Sequence, residues 1–446
     1  MLISPALHED RGMTEIKPET VPYIASYRAG VDTAEPAWLQ ARRQAAIEQF
    51  SALGFPSRRD EAWRFTNLRP LTKAPKLPAL EGVSRPDPTS EGIEALSFPG
   101  APHRLVLNNS SIVPALSSVA NLPDGVWFGS VTDALESRPE LLKSAFDAAD
   151  LAGNQPFAAL NAAMFKGGFL LALEPGVSID APFEIIHVNA DATSHVRCAI
   201  LLGAGASATV MESFTGTGAG WNNIVTWVEL DAAAKLRHVK VQTESQDAIH
   251  LSLTRATLAR AAGYDSTVLS FGALLSREDI QVALTGEGAD FTLNGAYLLG
   301  GQQEANFAPI VAHQVPGCTS RQIVKGVVGG QAHGVFLGSI RVFPGADQTD
   351  ARQTNRNLLL NTGASVDTKP ELEILADDVK CSHGATIGDL DDAALFYLQA
   401  RGIDTVMARR MLVEAFAADV IDASGAPAPI REHLHSQLSA WLERLP

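Results

Sequence analysis

The sequence predicts a mainly β fold, a solenoid core flanked by helical N-terminal and C-terminal regions, on three observations. From about Phe169 to Ile374, short runs rich in β-branched and large apolar residues recur roughly every ten to fifteen residues, set apart by Gly, Asp or Asn. Almost no helical period lies between them. The connections include small-residue corners, Gly203 to Thr209 (GAGASAT) and Thr285 to Gly295 (TGEGADFTLNG), of the kind that stacked coils place at recurring positions. Strand spacing alone also suits a sandwich or a propeller; the corners favour the solenoid, although no strict sequence period accompanies them.

The elements follow in order. Pro36 opens a helix in which Leu39, Ala46, Phe50 and Leu53 recur at helical spacing until Gly54 and Pro56 end it. The stretch Thr72 to Ser90 is Pro-rich and reads as an irregular connection. A second helix is predicted over Thr132 to Ala149, with Leu135, Leu142 and Phe146 on one side. Strands are expected at Phe169 to Leu173, Phe183 to Val188, Ala199 to Leu202, Ala208 to Ser213, Ile224 to Leu230, Leu236 to Gln242 and Ile249 to Leu253. More follow at Thr267 to Phe271, Ile280 to Leu284, Phe291 to Leu298, Gln322 to Val328, Gly334 to Val342 and Leu358 to Leu360.

After Gly388 the helical period returns. Asp389 is placed to cap a helix with Leu395 and Leu398 facing inward and Gly402 closing it. Asp404 caps the next, which carries Ala408, Leu412, Ala415 and Phe416. The last puts Ile430, Leu434, Trp441, Leu442 and Leu445 on one stripe. The resulting partition is 1–150 for a largely helical N-terminal region, 151–385 for the β core and 386–446 for a C-terminal helical region.

Composition narrows the function. In 446 residues, Lys plus Arg number 35 and Asp plus Glu 50, a net charge of −15, and no Lys/Arg run occurs. That sign opposes binding to nucleic acid and to anionic membranes, both of which need a basic face. The N-terminus, MLISPALHEDRG, has no basic stretch leading into an apolar one, so no signal peptide is expected, and Met13 is a second candidate start. The longest uncharged run, Leu105 to Pro123, holds four Ser, three Asn and two Pro, which is wrong for a membrane span. Cys198, Cys318 and Cys381 are too few and too scattered for a disulfide framework or a CxxC-type zinc site. A soluble cytoplasmic protein is expected.

Nucleotide and hydrolase chemistry find no motif. There is no GxxxxGK[ST], HExxH or GxSxG, and Gly203 to Ala208 resembles GxGxxA but leads into a β pattern where a dinucleotide fold needs a helix. The informative stretch is Lys369 to Thr386, KPELEILADDVKCSHGAT. Read as extended chain, Glu371 and Glu373 share one face and Leu372 and Ile374 the other, while Cys381 and His383 point the same way. A thiolate beside an imidazole can hold iron or zinc, but two ligands leave a four-coordinate site half empty, so the rest would come from elsewhere, another chain included. Spacing alone is met as well by a small buried cysteine near a hydrogen-bonded turn histidine. Cys198 and Cys318 read as core or surface residues. His433 and His435, two apart on a helix, do not share a face, and Asp377 and Asp378 fit turn or cap positions.

KPELEILADDVKCSHGATIGDLDDAALFYLQARGI (Lys369 to Ile403) resembles the C-terminal signature of the SufB/SufD family of iron-sulfur cluster assembly proteins, and within it the SufD branch. LGFPSRRDEAWRFTNLRPL (Leu53 to Leu71) is similar to the family's N-terminal signature, and Gly334 to Ile374 to the end of its β core. The resemblance runs from about Leu53 to Phe416. It implies a right-handed parallel β-helix between helical regions, in a cytoplasmic complex where a SufD-type subunit pairs with SufB and each holds a copy of the ATPase SufC. The missing phosphate loop agrees, since ATP would be hydrolysed by that partner.

Residue by residue, Cys381 and His383 match the family's Cys-x-His pair, with His383 the stronger candidate ligand for iron or a transient cluster shared with SufB. The C-terminal helices, with Leu395, Leu412 and Phe416 as packing anchors, match the SufC-binding region. A flavin is associated with such complexes, but no residue here marks a flavin site. The chain has no multi-cysteine set of its own and reads as a non-catalytic assistant subunit. An exposed solenoid end tends to pair, so an isolated chain is expected to be able to form a homodimer. The alternative is a parallel β-helix enzyme acting on acidic polysaccharide, with Glu371 and Asp377 in metal-binding or acid–base roles.

Overall fold

The computed structural model describes residues 17–73, 76–77, 88–98, 100–119, 121–150 and 155–443. The chain enters through helices α1 (Val21–Ala29), α2 (Ala37–Leu53), α3 (Arg69–Thr72) and α4 (Ser90–Leu96). Strands β1 (His103–Asn108), β2 (Ser111–Ile112) and β3 (Val126–Ser130) precede helices α5 (Val131–Ser137), α6 (Pro139–Asp150) and α7 (Pro156–Met164). Next come β4 (Phe169–Leu173), β5 (Phe183–Ala190), β6 (Thr193–Leu202), β7 (Ser207–Thr217), β8 (Trp221–Leu230), β9 (Lys235–Gln242), β10 (Ile249–Leu258) and β11 (Gly263–Ser270). The series continues with β12 (Leu275–Leu284), β13 (Asp290–Leu299), β14 (Glu304–His313), β15 (Thr319–Val328), β16 (His333–Val342), β17 (Asp350–Leu359), β18 (Ser365–Ile374) and β19 (Lys380–Gly388). Helices α8 (Asp392–Gln399), α9 (Thr405–Ala423) and α10 (Ala428–Leu442) end the chain.

From β4 onward, successive strands alternate between two sheets, ordered β19-β17-β15-β13-β11-β9-β7-β5-β1-β2 and β18-β16-β14-β12-β10-β8-β6-β4-β3. Neighbours are parallel and in register; Trp221 to Leu230 match Ile249 to Leu258 residue for residue. Among the described residues, the antiparallel strand pairs are β1·β2 and β3·β4, at the N-terminal end. One coil thus gives one strand to each sheet and the next coil stacks on it, the wiring of a parallel β-helix. The small-residue corners explain the stacking: Gly176, Gly205, Ala233, Ala261, Gly288 and Gly317 recur with φ between 57° and 77°. Consecutive coils are tied there by backbone bonds such as Gly205 N–H to Ala232 C=O and Ala233 N–H to Arg260 C=O. Only glycine takes that conformation without steric cost, and alanine is the smallest side chain that can substitute.

The interior is a column of Leu, Ile, Val and Phe from both sheets. Helices cover each sheet's outer face on opposite sides. Tyr23, Phe50, Trp63 and Phe157 pack on Trp221, Ile249, Leu251 and Leu275 of one sheet; Val413, Val420, Leu434 and Trp441 pack on Val239, Val241, Leu269 and Val327 of the other. Strands beneath helices are buried on both faces and read as continuous apolar runs, as in β8. Strands beyond them, such as β17, alternate buried with exposed residues.

The interior also holds a charged network. Glu212 accepts hydrogen bonds from His187 Nε2 at 2.9 Å and His238 Nε2 at 2.6 Å. Burial would raise its pKa, but those two bonds outweigh it and hold the carboxyl well below the usual range. Lys240 Nζ donates to Glu278 at 2.9 Å, and His250 sits between Glu244 (2.8 Å) and Glu278 (3.1 Å). All of these side chains are buried.

Several expectations change. The helix expected over Thr132 to Ala149 is two, α5 and α6, because Pro139 cannot continue the first and opens the second. The cap of α8 is Asp391, which accepts from the Ala393 and Ala394 N–H groups, rather than Asp389. Leu395 and Leu398 are only half-buried, and α8 buries no residue among those described. The β region extends past Ile374 to Gly388 and takes in β1, β3 and β14, which the sequence reading had not marked. Most of the Thr72 to Ser90 connection, and Leu445, lie outside the described residues.

Candidate functional site at the open end of the solenoid

Among the described residues, β18 and β19 each have one sheet neighbour, so the column ends there in two unpaired strand edges. The inward face of β17 is Ala351, Gln353, Asn355 and Asn357, all buried. In register above them, β19 presents Cys381, His383, Ala385 and Ile387. Alternation therefore points Cys381 and His383 to the same face of the sheet, inward, in the last coil of the column. Cys381 is half-buried against Ile340, Val342, Ala346 and Ala351; His383 is exposed. Ile374, Leu375 and Ile387 are exposed at this end.

The Cys381 thiol is pushed above its ordinary pKa by burial, with the Asp350 carboxylate adding to the rise. Burial does the same to Cys198 and Cys318, both of which lie in the interior. None of the three is a free-standing activated thiolate, so binding a soft metal at Cys381 must itself displace the proton.

The other donors named from the sequence are not brought to this pair. Glu371 and Glu373 point outward, Glu371 to Lys369 at 2.6 Å and Glu373 to Arg341 at 3.6 Å. Asp377 and Asp378 lie between β18 and β19. Among the described residues no group of three or more His, Cys, Asp and Glu side chains is arranged to hold a metal ion, so Cys381 and His383 supply at most part of a ligand set. His433 packs edge-on against Phe98 and His435 pairs with Asp422 at 3.0 Å, on different faces of α10.

A second surface follows directly in the chain. Past β19 the three residues Asp389, Leu390 and Asp391 lead into α8, which packs on α9. Val413, Ala417, Val420 and Ile421 bury α9 on the solenoid wall, where Lys325 Nζ bonds the Phe416 carbonyl (2.9 Å) and Asp419 (2.5 Å) and sits over the Phe416 ring. Phe416 is thus turned to the wall, and Leu412 is half-buried. The apolar side chains left in solvent are others: Phe396 (71% exposed), Tyr397, Val406 (70%), Met407 and Met411. Sequence reasoning missed them because it followed the buried stripe; the signal was the adjacent pairs Phe396-Tyr397 and Val406-Met407, since neighbours on a helix point about 100° apart and cannot share one buried stripe.

The fold is thus a parallel β-helix whose uncapped end carries a thiol and an imidazole, followed by helices with exposed apolar side chains. The chain belongs to the SufBD family of the SUF system for iron-sulfur cluster assembly: the family's core domain matches residues 185–416 and its N-terminal region residues 19–185. It is 30% identical over 437 residues to an iron-sulfur cluster assembly SufBD family protein of Synechocystis, covering 94% of this chain and 95% of that one. It is 30% identical to the iron-sulfur cluster assembly protein SufD of Escherichia coli (85% and 88% covered) and 27% identical to SufD of Bacillus subtilis (92% and 94%). The family boundary at residue 185 falls within β5, after the strands that begin both sheets. No helix among the described residues is long and apolar enough to cross a membrane.

Proposed function

We propose that this chain is the SufD-type subunit of a cytoplasmic iron-sulfur cluster assembly complex, joined through β18 and β19 to a SufB-like paralogue and through α8 and α9 to a SufC-like ATPase. The observation that carries the reading is the open end: a long in-register column stops at two unpaired edges, and Cys381 and His383 lie on the last strand, β19. A paralogous solenoid supplies edges of the same kind, and its side chains complete the ligand set that Cys381 and His383 begin. The cluster is cargo, built at that junction and passed on. ATP hydrolysis belongs to the SufC-like partner, and this chain contributes no catalytic residue.

The test is to co-express the chain with the host's SufB- and SufC-like proteins, isolate it by an affinity tag and determine the mass and composition of what accompanies it. A stable assembly holding both partners is expected; recovery of the chain alone, or as a homodimer, while the other two pair with each other would overturn the reading. Two variants resolve the surfaces. Val406→Glu with Met407→Glu places charge on exposed positions and leaves the fold intact. Replacing a central apolar contact costs about 2 kcal/mol or more, so ATPase binding should weaken by at least about 30-fold while the paralogue is retained. His383→Ala should lower cluster output from the purified complex at equal protein abundance; unchanged output would remove His383 as a ligand.

A further inference from the structure

The N-terminal region reaches the open end through residues 57–67, which lie across the outer face of the sheet that ends in β18. Side chains of three of its strands hold them. Arg277 of β12 sits over the Trp63 ring at 3.8 Å and bonds Thr66 at 3.0 Å, Glu304 of β14 accepts the Asn67 N–H at 2.9 Å, and Lys369 of β18 pairs with Glu61. β18 is the last strand of that sheet, so residues 58–61 border its unpaired edge. They are held in a closed turn: the Asp60 carboxylate accepts from the Ser57 N–H at 2.6 Å and from its hydroxyl at 3.1 Å, and the Asp60 N–H donates to the Ser57 carbonyl at 3.0 Å. Arg58 and Arg59, which the turn encloses, are exposed. On the outer face of β18 each carboxylate is already met by a basic side chain of this chain: Asp367 by His333 (2.8 Å), Glu371 by Lys369 (2.6 Å) and Glu373 by Arg341 (3.6 Å). Among the described residues, Arg58 and Arg59 are in no ion pair. In a chain of net charge −15, two such guanidiniums beside a strand edge suit carboxylates that arrive from outside, which their planar forks can take two oxygens at a time.

We infer that Arg58 and Arg59 form a cationic clamp beside the β18 edge, which holds carboxylates of the paralogue docked there and favours it over a second copy of this chain. A second copy brings the wrong charge: its β18 carboxylates are taken, and it adds two more guanidiniums to the seam. The inference rests on the docking of a paralogue at β18 proposed above, and the two fail separately.

The experiment measures the affinity of the full chain for the host's SufB-like paralogue at about 50 mM and about 500 mM salt, which brackets strong and weak screening. Arg58→Glu with Arg59→Glu should bind at least about tenfold more weakly than the parent at the lower salt and within about twofold of it at the higher. Arg58→Lys with Arg59→Lys, which keeps the charge, should stay within about threefold of the parent at both. Arg28→Glu with Arg260→Glu makes the same charge change at exposed positions away from this edge and should alter binding by no more than about twofold. All these positions are exposed, so the urea midpoint of each variant should match the parent's. Equal binding by the parent and the Arg58→Glu, Arg59→Glu chain at both salts would overturn the clamp and leave the docking intact. A parent that binds no paralogue would remove the docking and the clamp with it. Self-association that the same double substitution abolishes, with paralogue binding unchanged, would seat a second copy on this edge and overturn the inference as well.

Discussion

Replacing His250 with alanine is expected to destabilise the chain by about 3–5 kcal/mol, the cost typical of stranding a buried charge. The ring is fully buried, with Glu244 at 2.8 Å on one side and Glu278 at 3.1 Å on the other. Burial alone would lower its pKa; the Glu244 and Glu278 carboxylates overcome that and raise it to about 9. Burial likewise pushes Glu278 up, and Lys240 and His250 bring it down to about 2. Without the imidazolium, Glu244 keeps only the Asn222 and Gln242 amides and Glu278 only Lys240.

The pH dependence follows from the signs. The raised His250 value contributes stability that is fully present below about pH 6.5 and lost as pH rises toward 9. The depressed Glu278 value contributes stability present above about 4.5 and lost as pH falls toward 2. His195 and His313, buried neutral with values lowered to about 3 and about 4 by burial, add to the loss on the acid side. Stability should therefore peak near neutrality, and in His250→Ala the decline between pH 6.5 and 9 should flatten. Urea midpoints across pH 4 to 9.5 check this. A variant within about 0.5 kcal/mol of the parent, with the same alkaline slope, would mean the network is energetically idle.

Trp221→Ala is expected to cost a similar amount, about 3–5 kcal/mol by lost transfer energy and the cavity left behind. Its indole is fully buried at the start of β8 and touches three segments: Tyr23 of α1 (ring centroids 6.3 Å apart), Phe157 of α7 (5.9 Å) and His195 of β6 (5.3 Å). It is one of the points where the N-terminal helices meet the solenoid wall. The variant should lower the urea midpoint and expose residues 17–70 to limited proteolysis while strands from β12 onward stay protected. Trp221→Phe, which keeps a ring in the same gap, should lose less than half as much. Uniform destabilisation with no N-terminal cleavage would show that the helices are held by Trp63, which stacks under Arg277, and Thr66 rather than by this contact.

The solenoid was legible because its cause is local: small residues at left-handed corners and apolar strands between them. Its period was not, because the corners differ in length, so strand starts at Trp221, Ile249, Leu275, Glu304, His333 and Ser365 are unevenly spaced. Strand β14 escaped notice because Asn306 and Pro309 interrupt its apolar pattern; its pairing with β16 skips Ala308 and Pro309 and resumes at Ile310. Cys381 and His383 were found as a same-face pair since strand alternation depends only on sequence parity. Their position at the end of the column, and Gln353 beneath them, depend on which strand stacks on which across some thirty residues. The interior charges around His250 were unreadable for a related reason: Glu278 comes from the next coil, and Glu244 from the connection between β9 and β10 rather than from a strand.

The uncapped end also determines how the molecule comes apart. An inner strand must shed a ladder on both sides before its amides meet water, whereas β19 sheds one. Opening from that end costs less than global unfolding and moves inward coil by coil, like a zip drawn from one end. A chain seated on that end raises the cost of the first step most, so docking is felt as a slowing of amide exchange that fades with each coil toward β5.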